Sequence, residues 1–137
     1  MGACPSNMTE IERRILAVLE EAGEEDIAAL INSVGKWRGN PAEIGEVQNA
    51  LASLISMGFL LLAASRVEPS LQWDARSIDE SLAAVARVDA SFRWDQEGNF
   101  WRWRDEFPRI QILLSDRGKA MSRKILQQYG WRLTEPQ

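Results

Sequence analysis

Three groups of residues in this chain have types and spacing suited to chemistry, and in each the chemistry is binding rather than bond-making. The loop Gly35-Lys36-Trp37-Arg38-Gly39 offers two cations, an aromatic ring and glycine-flanked backbone amides, a set that suits a phosphate. Its other reading is a Trp37 packed beneath neighbouring helices with two solvated cations beside it. Further on, Phe92-Arg93-Trp94-Asp95 and Phe100-Trp101-Arg102-Trp103-Arg104 flank the turn Gln96-Glu97-Gly98-Asn99. If Asp95 pairs with Phe100, Trp94 opposes Trp101, Arg93 opposes Arg102 and Phe92 opposes Trp103. Strand alternation then gathers Phe92, Trp94, Trp101 and Trp103 on one face and Arg93, Arg102 and Arg104 on the other. Opposed like charges repel, so the arginine face calls for an anion. Asp95, Glu97, Asp105 and Glu106 are close enough in sequence to supply it, and a DNA phosphate or an acidic partner would do the same. The aromatic face suits a core, a dimer contact or stacking on bases. The third group is Gln48, Asn49 and Ser53, whose amides and hydroxyl match the base edges of a major groove.

Other chemistries lack their reagents. The chain has no histidine, and its one cysteine is Cys4. Ser-His-Asp and Cys-His catalysis, histidine acid/base work and zinc sites built from His and Cys are therefore excluded. Gly-rich phosphate loops and a Gly-x-Ser-x-Gly elbow are missing, and no carboxylate pair stands out by spacing. The expectation is a protein that is not an enzyme and carries no cofactor and no metal.

The elements that position these groups follow from composition and periodicity. The chain has 137 residues, 45% hydrophobic and 26% charged, which fits one globular domain. The longest apolar run, Gly58 to Ala64, is far too short to span a bilayer, so no membrane partner is expected. Residues 1–8 read as a disordered leader without signal-peptide character, and 132–137 as a flexible tail; with a lone cysteine this points to the cytoplasm. Charge is uneven: −5 over residues 1–57, −3 over 58–108 and +4 over 109–137, for a net −4.

A first helix is predicted over about Thr9 to Glu21, opened by a Thr9/Glu12 capping box. A second covers about Glu24 to Val34, its three leading acids complementing the helix N-terminus. Asn40 caps a third, with Pro41 at its first position and Ile44, Val47, Leu51, Leu54 and Ile55 as its apolar stripe. Gly58 ends that helix and Phe59 to Ala64 reads as a buried strand. Ser77 and Glu80 open a helix over about Ile78 to Val88, ahead of the aromatic hairpin. Arg109 to Leu114 reads as a last strand, and Ser115 or Asp116 caps a final helix through about Tyr129. On it Met121, Ile125 and Tyr129, with Trp131 beyond, form a stripe suited to a dimer contact or to packing on the first helix.

This order resembles a winged helix-turn-helix domain. Val47-Gln48-Asn49-Ala50-Leu51-Ala52-Ser53-Leu54-Ile55-Ser56-Met57-Gly58-Phe59-Leu60 is similar to the recognition helix and first wing strand of MarR-like and PadR-like regulators. Ile112-Leu113-Leu114-Ser115-Asp116-Arg117-Gly118-Lys119-Ala120-Met121 is similar to the second signature of those families. The resemblance implies an α+β fold over residues 9–131, with 66–108 inserted between wing strands as an extra helix and a Trp-rich hairpin. It also implies a bacterial-type, dimeric transcriptional regulator that binds double-stranded DNA. Helix 41–57 would lie in the major groove, with Gln48 and Asn49 reading bases and Lys36, Arg38, Arg93, Arg102 and Arg104 holding phosphates or a groove.

Three features point elsewhere. No Lys or Arg occurs from Pro41 to Met57, the segment between the wing strands is long, and the chain is acidic. They support an alternative, a winged helix that docks a protein partner through its acidic third helix and its Trp-rich hairpin.

Overall fold

The computed structural model describes residues 8–22, 24–33, 41–66, 72–75, 77–87, 92–98, 100–104 and 110–130. Lys36, Trp37, Arg38 and Trp131 lie outside them. Helix α1 (Glu10–Ala22) starts at the expected capping box: the Glu12 N–H donates to Thr9 Oγ1 at 3.1 Å and the Thr9 N–H to Glu12 Oε1 at 3.5 Å.

The second element departs from expectation. Glu24–Asp26 forms a short strand, β1, and α2 is confined to Ile27–Ser33. β1 lies antiparallel to β6 (Ile110–Leu114), with Glu24 opposite Leu113 and Asp26 opposite Gln111. The physical reason is an open sheet edge. β6 is paired with β2 (Leu60–Arg66) on its other side, so its free backbone groups need partners. That demand outweighs the modest gain, about 0.3–1 kcal/mol, that acids bring to a helix N-terminus.

Helix α3 (Pro41–Ser56) spans the predicted range. Gly58 follows it with φ 80°, and the Phe59 N–H turns back to the Leu54 carbonyl at 3.0 Å, so the chain reverses directly into β2. An additional strand, β3 (Gln72–Ala75), pairs with the far end of β2, giving the sheet order β1-β6-β2-β3. α4 (Ile78–Val85) carries the complete Ser77/Glu80 capping box and stops three residues earlier than expected.

The hairpin strands β4 (Phe92–Asp95) and β5 (Phe100–Trp103) pair in the register that their alternation predicts, including Arg93 opposite Arg102 and Trp94 opposite Trp101. α5 (Asp116–Tyr129) is capped by the Ser115 side chain, which accepts from the Gly118 N–H at 3.0 Å. The fold is α+β, with five helices and two antiparallel sheets among the described residues.

One core joins the helices, the sheet and the inserted segment. Ile15 and Leu19 of α1, Leu30 and Ile31 of α2, Leu51 and Leu54 of α3, and Ile125 of α5 are fully buried together with Leu60 and Ile112 of the sheet. Val85, Phe92 and Trp101 of the insertion enter the same core, so the insertion is part of the domain and not an appendage.

Candidate functional site

α3 carries three of the residues that the sequence marks for binding, Gln48, Asn49 and Ser53. It is flanked on both sides. On one side it meets α1, where the Ser53 hydroxyl donates to Glu12 Oε2 at 3.4 Å. On the other it meets α4, where Gln48 Nε2 donates to the Val85 carbonyl at 2.6 Å. That bond supplies one of the carbonyls left open at the end of α4. Gln48 and Ser53, candidates for reading bases, are therefore engaged within the chain, while Asn49 is exposed.

What remains open on α3 is a stripe of Ala42, Glu46, Asn49 and Ser56, with one carboxylate and no cation. Beside it, α1 and α3 enclose a cleft of about 290 Å³ lined by Thr9, Ile11, Glu12, Glu46, Asn49 and Ala50. Its chemistry is an apolar floor, an amide and the exposed Glu46 carboxylate, with the buried Glu12 carboxylate behind them already accepting from Thr9 and Ser53, and this suits a cationic side chain with an aliphatic stem.

α4 seals the far side of α3. Ser81 is fully buried, and its hydroxyl accepts from the Leu62 N–H at 3.2 Å. Leu62 lies just before the first β2 residue paired to β3, Ala63, so α4 satisfies a strand donor that β3 does not reach. The first turn of α4 exposes Asp79 and Glu80.

The hairpin's aromatic face is core at Phe92 and Trp101, with Trp94 packed edge-on against Trp101 at 5.2 Å between centroids. It is fastened by Asn32 of α2, whose side chain donates to the Trp101 carbonyl and accepts its N–H, both at 2.8 Å.

The three arginines differ. Arg102 pairs with Asp95 Oδ2 at 3.2 Å and lies over the Phe100 ring. Arg104 donates from Nε to the Phe92 carbonyl at 2.9 Å, bracing the hairpin across its strands. Arg93 is exposed. Asp95 is the anion that offsets the opposed Arg93 and Arg102. It accepts the Gly98 and Glu97 N–H groups at 3.1 and 3.0 Å. The Gly98 N–H does most to hold its carboxyl below the ordinary value of 3.8; desolvation, next in size, opposes it, and Arg102, the Glu97 N–H and Arg93 together keep the net direction downward.

Of the two arrangements that the stripe on α5 allows, its described members show packing on the first helix. Met121 and Ile125 are 7% and 0% exposed, and Tyr129 lies beneath the Arg13 guanidinium, 4.6 Å from the ring centroid. The cause is α1, which packs along α5 and takes up the stripe; Glu20 completes the contact by accepting from Ser122 and pairing with Arg123 at 3.2 Å. Arg117, Lys119 and Lys124, in contrast, have no carboxylate partner among the described residues.

No helix of the described residues is long and apolar enough to cross a membrane. Comparison of the chain with protein-family models, with curated proteins and with solved structures gives no match.

Proposed function

We propose that the chain is a winged-helix domain that docks a cationic segment of a protein partner on its α3 face. The winged-helix reading is supported by the order of elements, α1-β1-α2-α3-β2 followed after the insertion by β6 and α5, with β6 between β1 and β2. The observation that carries the docking reading is the α3 stripe itself. It presents Glu46 and Asn49 beside an acid-lined cleft and offers no cation to a phosphate backbone.

A second reading, a DNA-binding transcriptional regulator, is favoured by the same element order and by the exposure of Asn49 and Arg93. In that case Asn49→Ala relaxes sequence preference, and removing Arg93 weakens binding evenly across sequences.

The test is an NMR titration of isotope-labelled protein with an arginine-rich helical peptide and, separately, with random-sequence duplex DNA. Amide shifts clustered at Glu12, Glu46 and Asn49 with peptide, abolished by Glu46→Lys, are the expected result. Shifts spread evenly over all exposed acids, or confined to the DNA titration, contradict it.

A further inference from the structure

Ile78 is the one large hydrophobic side chain that is exposed among the described residues, at 44%. A single exposed apolar residue is ordinary by itself. Its setting is less so: it is the first residue of α4, with the exposed carboxylate of Asp79 next to it. Asp79 has no cationic partner among the described residues.

A second feature has the complementary chemistry. Phe59 and one flank of α5 form a cleft of about 190 Å³, lined by Phe59, Arg117, Ala120, Met121 and Lys124. That volume is below the ~300 Å³ at which pockets begin to hold drug-sized molecules, and is on the scale of an inserted side chain. The floor is apolar. Arg117 and Lys124 stand seven residues apart on the helix, about 10 Å along its axis, so a cation guards each end. The Arg117 guanidinium lies over the Phe59 ring at 5.3 Å, and neither cation meets a carboxylate among the described residues. Ile78 is not among the lining residues, so the chain does not fill this cleft with its own knob.

We infer that a second copy of this chain is the occupant: Ile78 of one copy seats on Ala120 between the Arg117 and Lys124 side chains of another, above the buried Phe59 and Met121, and Asp79 pairs with Lys124. The two patches are different surfaces, so the contact is head-to-tail. It either closes as a reciprocal pair or continues as an open chain. The contact is small, and each copy carries a net charge of −4, so association is weak and rises with concentration.

The test is sedimentation over a concentration series reaching about 1 mM, the range in which weak contacts populate. Wild type is expected to gain mass with concentration, and Ile78→Ser to lower the association constant at least tenfold. Asp79→Lys and Lys124→Glu are each expected to sediment as monomers alone and to associate when mixed, because each retains the surface that the other has lost. That recovery also shows both variants to be folded. A wild type that stays monomeric throughout, single variants that associate unchanged, or a mixture that stays monomeric would each overturn the inference.

Discussion

At the scale of single residues, two side chains hold the hairpin by different physics. Asn32 satisfies the N–H and the carbonyl of Trp101 together, and Trp101 is only 4% exposed. Asn32→Ala strands both groups at a cost of about 1–3 kcal/mol each where they stay dry. A lower unfolding midpoint and faster hydrogen exchange in β4 and β5 are expected; unchanged exchange there would remove the clasp from the account. Asp95 acts through charge. Its folded carboxyl titrates lower than its unfolded one, so its contribution is complete above the ordinary value of 3.8 and is lost as pH falls through the lower folded value. The Gly98 amide resonance should report a midpoint below 3.8 in acid titration, and Arg102→Ala should move that midpoint upward. A midpoint at or above the ordinary value would contradict the pairing.

At the scale of elements, α5 is joined to the α3–β2 turn by close backbone contact. Ser115 donates from its N–H to the Phe59 carbonyl at 3.0 Å and from its hydroxyl to the Gly58 carbonyl at 2.6 Å. A Cβ at Gly118 would lie 2.0 Å from the Phe59 carbonyl oxygen, so only glycine fits there. Gly118→Ala is expected to destabilise by about 3 kcal/mol, the upper end for overpacking, and thermal unfolding checks this; a neutral result would mean the two elements separate easily. Elements with local signals were legible in the sequence. The Ser77/Glu80 box, Gly58 and the alternating aromatics around Asp95 and Gly98 each define their own geometry over a few residues. β1 was not legible, because Glu-Glu-Asp has no strand character and is a strand only through backbone pairing with β6, far along the chain. The Asn32 clasp, the Gln48–Val85 bond and the α1–α3 cleft escaped for the same reason. Each joins residues remote in sequence, and the residue types involved read equally well as solvated surface.

At the scale of the whole molecule, charge is sorted by surface. Glu46 and Asn49 border an acid-lined cleft on α3, Asp79 and Glu80 begin α4, and the cations without carboxylate partners include three on α5. The sorting gives α3 the wrong sign for a phosphate backbone and the right sign for a cationic protein segment. Phosphate contacts reveal themselves by steep salt dependence, since each releases counterions. The most direct measurement is therefore fluorescence anisotropy of random-sequence duplex DNA with this protein at about 50 mM and about 200 mM salt, where such contacts change affinity most visibly. No binding is expected at either concentration. Micromolar binding at the lower salt that falls steeply at the higher would contradict it and return α3 to the major groove.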